Sequence, residues 1–419
     1  MMAMVFALSF SVIATGASQF SLKKVPGSSG DTVTAINNSS QVVVNKGTST
    51  SYDVLVWSRK NGFQDLGLTG MNSGGAAIDN LGDVVGAGDP DNSGVLQAFL
   101  WQPTGGVEWL GSLGGGLSGA SGVNASGAVV GLSYTAVPLQ HAFLWTQAGG
   151  MQDLTPALTS IGGATATAVN AANEVVGYYF PNGSGNPVGF TWTEAGGLQN
   201  LGPAGTVALA VNDARMVVGQ SPNAGGYSHA FSWTENGGMM DLGTLGGTES
   251  TALGVNNLGW VVGTSLTNSK LDLLHAFLWT PAGGMQDLAT IAGVPSGQQA
   301  YWVKVNDYGV IALSTNAGLQ ILIPKMTVTV TSSANPAVAG EPITFTATVT
   351  SLAGAPPDGE TMEFMLAGKT MGSATLSNGV AQFTTSTIPA GTYLVAATYQ
   401  GDDNYLASTS ASLKQVVNP

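Results

Sequence analysis

Apolar residues in this chain come in short runs, broken every few positions by Gly, Asn, Asp or Ser. No stretch keeps the 3.6-residue spacing of an amphipathic helix, and the pattern predicts strands joined by tight turns. Four runs recur as a set: A-x-x-VN, x-VVG, AF-x-W and GM-x-DL. The unit is timed by Trp57, Trp101, Trp145, Trp192, Trp233 and Trp279, which lie 44, 44, 47, 41 and 46 residues apart by subtraction. Four strands in about 44 residues is the size of a propeller blade. A β-solenoid with two coils per unit is the alternative. It would need one long ladder and few tight hairpins.

The turn between the first two runs has a physical logic. VNASGAVVG at 123–131 and VNNLGWVVG at 255–263 are its clearest copies. The Asn side chain bonds its own backbone and starts a type I turn, and the Gly three positions later takes a positive φ without steric cost. Ser40, Asn173 and Arg215 stand where other copies have that Gly. INNSSQVVV at 36–44 is the first copy and VNDYGVIAL at 305–313 the seventh. The seventh lacks the HAF-x-W strand, while QFSLKKV at 19–25 stands ahead of the first as a spare strand. Lending that strand to the last unit would close the ring and remove two exposed edges. The reading is all-β: a seven-bladed β-propeller (six or eight blades also fit) over 18–325, then an immunoglobulin-like sandwich over 326–419.

In the C-terminal region Trp disappears and seven alternating runs follow one another. Ile343, Phe345, Ala347 and Val349 share one face by period two, as do Met362, Phe364 and Leu366. Phe345, Phe364 and Phe383 are expected to fill the centre of the sandwich. At the other end, residues 1–17 read as an export signal, an apolar run followed by small residues. A buried N-terminal strand is the competing reading.

Composition narrows the function classes. Charged residues are only 8% of the 419, and the net charge is −13. Nucleic acid and anionic membranes need clustered Lys and Arg, so neither is expected as a partner. With Cys at 0, disulfides, thiolate metal sites and Cys nucleophiles are excluded.

Two resemblances rest on these strings. Residues 20–324 resemble the bacterial extracellular HAF repeat family, through HAF-x-W, VN-x-x-G-x-VVG and the DLGTLGG at 241–247. Residues 326–417 resemble a bacterial Ig-like repeat domain, through NPAVAGEPITFTATV, LAGKTMGSATLSNGVAQFTTS and GTYLVAATYQGDDNYLAST. The resemblance implies a secreted or cell-surface protein with an Ig-like spacer, and no catalytic residues.

Candidate chemistry is sparse. His141, His229 and His275 occupy one repeat position, so they are set apart around the ring and do not converge on a metal; a strand-edge His bonding a neighbouring blade is expected. Asp65, Asp153, Asp241 and Asp287 also recur together, which suggests backbone bonding over a carboxylate pair. DPDNSG at 89–94 imitates a calcium loop through Asp89 and Asp91, but Leu100 stands where the bidentate acid belongs, and a solvated turn is expected. GSLGGG at 111–116 lacks the Lys of a phosphate loop. The connections between VVG and AF-x-W differ in every copy and carry Tyr52, Tyr134, Tyr178, Phe180 and Tyr227. Exposed aromatics among Asn, Ser and Gly suit stacking on sugar rings. The expected function is a monomeric, non-catalytic secreted or surface protein without cofactor or metal. It would bind a polysaccharide or a surface protein on this loop face and would not insert into a membrane. A purely structural envelope role and a polysaccharide-active enzyme are the alternatives.

Overall fold

The computed structural model describes residues 18–47, 52–68, 72–137, 139–156, 162–181, 185–268 and 273–419, so the export signal read over 1–17 lies outside them. The described residues are almost wholly β, with one short helix, Leu288–Ile291. No helix among them is long and apolar enough to cross a membrane.

Among the described residues the repeat region forms seven four-stranded antiparallel sheets. The first comprises Thr32–Ile36, Val42–Gly47, Tyr52–Ser58 and Gly62–Asp65, and the next five repeat that order. The last differs. Its strands Ala300–Val305, Ile311–Thr315 and Gly318–Pro324 are completed by Phe20–Lys24, in antiparallel register with Phe20 opposite Pro324. Cores lie between the sheets. Val43 and Val54 of the first pack with Val84, Phe99 and Trp101 of the second. The seventh packs on the sixth through Phe20, Val262, Val303 and Leu322, and on the first through Val33, Val42, Ile321 and Ile323.

The VVG glycine has a reason the turn logic does not cover. Opposite it the inner strand carries a β-bulge, as between Ala120 and Gly122. A Cβ on Gly131 would lie 2.0 Å from the Gly119 carbonyl oxygen and 2.9 Å from the Phe143 ring. Gly86, Gly177 and Gly263 meet the same two obstacles, and Gly219 meets the first, the Val207 carbonyl oxygen at 2.0 Å. Each faces the Phe of the next strand, and in the first copy Val44 faces Leu55 instead. The Phe fills the space the Gly leaves open. The DLGTLGG string is a staple between sheets. Ser250 Oγ donates to the Gly243 carbonyl at 2.6 Å and accepts from the Ala230 amide at 2.8 Å. Ser118 does the same for Gly111 and Ala98.

The turn Asn also does two jobs. Asn170 Oδ1 accepts the amides of Ala172 and Glu174 and closes its own turn. Its Nδ2 donates to the Asn212 carbonyl of the next sheet at 3.2 Å. The same step runs from Asn37 to Asp79, Asn124 to Asn170, Asn212 to Asn256, Asn256 to Asn306, and Asn306 back to Asn37. Six such links are present, and the seventh position is Asp79. Its Oδ1 accepts from Leu81 and Asp83, while its buried Oδ2 has no hydrogen-bond partner. As expected for turns needing a positive φ, Ser40, Asn173 and Arg215 adopt 52°, 59° and 64°.

The C-terminal region forms two facing sheets, one of three strands and one of six. Phe345 and Phe364 are fully buried, and Phe383 stacks on Phe364 with centroids 5.6 Å apart. The sandwich sits against the repeat sheets. Asn404 accepts from Ser40 Oγ at 2.7 Å and from Asn306 Nδ2 at 2.9 Å, and donates to the Asn38 carbonyl at 2.9 Å. The Arg59 guanidinium donates to the carbonyls of Asp402 and Tyr405, and Tyr308 meets Tyr405 edge to face at 6.1 Å.

Candidate functional site

Between the sandwich and the seam of the first and last sheets lies a cleft of about 690 Å³. Its floor is apolar, built from Trp57 of the first sheet, Ile321 and Ile323 of the last and Leu406 of the sandwich. Its rim is cationic. Lys23 and Lys24 end the exchanged strand, and Arg59 and Lys60 form the turn after the first Trp strand. The chain has 11 Lys and Arg, and four of them line this one cleft. Asp402 and Asp403 stand on the opposite wall. Asp402 is engaged within its own loop: Oδ1 accepts the amides of Asn404 and Tyr405, and Oδ2 the Tyr399 hydroxyl. Burial, with the Asp402 carboxylate adding to it, pushes the Tyr405 phenol up to about 12, so that wall is uncharged at Tyr405. A positive rim over an aromatic and aliphatic floor is suited to a ligand with both anionic groups and apolar ring faces.

The structure brings together few of the sequence-chosen aromatics. Tyr178 and Phe180 meet edge to face, 5.8 Å between centroids. Tyr134 sits half-buried in the strand Val129–Thr135, and Tyr227 is exposed in the turn before Ser228–Thr234. Tyr52 opens the strand Tyr52–Ser58, and its side chain lies outside the described residues. The cleft escaped sequence reading because its lysines come from a spare strand and a turn, and its far wall from the sandwich. The pair Lys23–Lys24 in a chain so poor in cations was the available signal.

The three recurrent His pair with three of the four recurrent Asp, while Asp65 accepts the Gly67 amide. His141, His229 and His275 contact Asp153, Asp241 and Asp287 through Nδ1 at 2.7, 2.9 and 2.7 Å, each within its own sheet. This corrects the expectation of a bond to a neighbouring blade. The same carboxylates also accept backbone amides, as Asp153 does from Thr155. The loop at 89–94 is closed on itself, with Asp89 accepting from Ser93 and Gly94.

Residues 330–418 match the bacterial Ig-like domain (group 3) family. No curated protein sequence matches the chain. Similar solved structures include a streptogramin B lyase, with 11% identity and a TM-score of 0.48 over 73% of this chain and 99% of that one. Virginiamycin B lyase from Staphylococcus aureus aligns with 8% identity and a TM-score of 0.48, over 72% and 99%. The extracellular domain of a putative hybrid two-component system from B. thetaiotaomicron aligns with 13% identity and a TM-score of 0.47, over 96% and 58%. Two of these are lyases, which corrects the expectation that the chain is not an enzyme: proteins of similar shape include enzymes, and at these identities and scores the likeness assigns no reaction. The C-terminal sandwich is a bacterial Ig-like domain of group 3, joined to an all-β body of repeated four-stranded sheets.

Proposed function

We propose that this is an extracellular protein of the HAF-repeat type, with residues 18–325 forming a seven-bladed propeller, and that it captures an acidic polysaccharide in the cleft against the Ig-like domain of 326–419. The observation that carries the reading is the gathering of Lys23, Lys24, Arg59 and Lys60 above Trp57 in a molecule of net charge −13. Elsewhere the acidic surface repels a polyanion, so the cleft is where one is retained. A sugar ring stacks on the Trp57 floor while its carboxylates or sulfates meet the lysines. In this reading the sandwich is a fixed wall of the site as well as a spacer.

The test is binding of the full chain to arrays of neutral and uronic-acid polysaccharides. Saturable binding to the acidic polymers is expected, falling about tenfold or more in Lys24→Glu/Lys60→Glu and weakening as salt is raised. Loss instead in Tyr134→Ala/Tyr178→Ala/Tyr227→Ala would move the site to the loop face. Polymer length measured in the same samples decides whether capture is followed by cleavage.

A further inference from the structure

A second cavity, of about 170 Å³, lies among the inner strands of the sheets, beneath the ring of turn asparagines. Two positions before each turn Asn or Asp, six copies carry a small residue: Ala35, Ala77, Gly122, Ala168, Ala210 and Gly254. The seventh Asn follows Lys304. Among the described residues it is the only charged side chain lining the cavity. Its chain lies along Gly254, whose missing Cβ would come within 3.8 Å of the Lys304 Cδ. Its Nζ donates to the Leu253 carbonyl at 2.8 Å. On the adjoining first sheet, Thr34 lines the same space, and its buried Oγ1 has no hydrogen-bond partner. The remaining wall carries the methyls of Ile36, Val123 and Val169, which also line the wider space of about 260 Å³ at the Asn-ringed mouth, together with Ser121 and with Thr167, whose Oγ1 is engaged by the Val176 and Ala208 carbonyls.

We infer that Lys304 and Thr34 form an axial site for a short-chain carboxylate. The ammonium and the hydroxyl are both donors, so they suit the two oxygens of one carboxylate. The methyl-lined wall takes a short alkyl tail, and the volume admits only a few heavy atoms. Burial alone lowers the Lys304 ammonium to about 8, with no acidic neighbour contributing. A charge so enclosed is stabilised by an anion placed beside it. This site is independent of the cleft and stands or falls separately from it.

The experiment is thermal unfolding of the full chain in sodium propionate and in sodium chloride at equal ionic strength. At pH 7 the wild type is expected to gain about 2 °C or more, saturating with propionate. Lys304→Met, which keeps an unbranched apolar stem but removes the charge, should gain nothing, and Thr34→Val should need about threefold more propionate for half the effect. In the wild type the gain should vanish at pH 10, where the amine is neutral; this arm holds even if Lys304→Met fails to fold. An equal gain in Lys304→Met, a gain that persists at pH 10, or none in the wild type would overturn the assignment.

Discussion

At the scale of single residues, the turn Asn shows how one amide serves two levels of structure. Its oxygen shapes the local turn, and its nitrogen ties that turn to the next sheet. Asp can do only the first. At Asp79 a carboxyl group therefore stands where each other copy presents an N–H. Burial raises the Asp79 pKa, with Asp83 adding to the effect and the amides of Asp83, Leu81 and Gly82 opposing it. A folded value above the unfolded one means the stabilising form is the protonated one. That contribution is complete below the ordinary carboxylate range and is lost as pH rises through the folded value. Asp79→Asn is thus expected to raise stability at pH 7 by about 1 kcal/mol and to lose that advantage in acid. Urea melts of both proteins at pH 4 and pH 7 check this, and a stability loss at pH 7 would contradict it. The turn itself was legible in the VN-x-x-G string. The link between sheets was not, because the acceptor lies 42 residues away for Asn170 and 50 for Asn256, with no mark in the local sequence.

At the scale of elements, five of the repeats are held by a bulged inner strand, a Gly opposite the bulge and a Phe over the Gly. The recurrence of VVG and AF-x-W announced four strands per unit. It did not announce the bulge, which is a backbone feature seen only once the strands pair. Gly131→Ala should therefore cost about 2–4 kcal/mol, far more than a Gly-to-Ala change in an unobstructed strand, because the new methyl overlaps a carbonyl oxygen rather than a movable side chain. Chemical denaturation is the measurement, and a cost under about 0.5 kcal/mol would show that the bulge relaxes freely. The HAF and DL motifs teach the same lesson. Each reads as separate punctuation, yet the His and Asp 12 residues apart are cross-strand neighbours. They are seen as one pair only when the register is known.

At the scale of the whole molecule, the Ig-like domain is docked by a small polar hub. Asn404 joins Ser40, Asn38 and Asn306, and Arg59 reaches the loop that carries Asn404. Hubs of this kind lose their effect when one member is cut, because the remaining buried groups go unsatisfied. Asn404→Ala/Arg59→Ala should loosen the sandwich while leaving both cores folded. The expected signs are a larger radius of gyration in solution scattering and faster proteolysis near Pro324–Met326, and an unchanged scattering profile would argue against the hub. Both all-β classes could be read from periodicity and turn residues. The docking could not, since GDDNYLAST is as good a surface loop as any until the first and last sheets meet beneath it.

The exchanged strand Phe20–Lys24 has one more consequence, in time rather than in space. It reaches its partner Gly318–Pro324 only after roughly 300 further residues have been made, which at ordinary synthesis rates takes about 15 to 60 s. Through that interval the nascent body carries an unpaired strand at its head and an open edge at its tail. Each is a template for a second chain. Crowded nascent chains would therefore be prone to swap this strand, each lending its first segment to the last sheet of another.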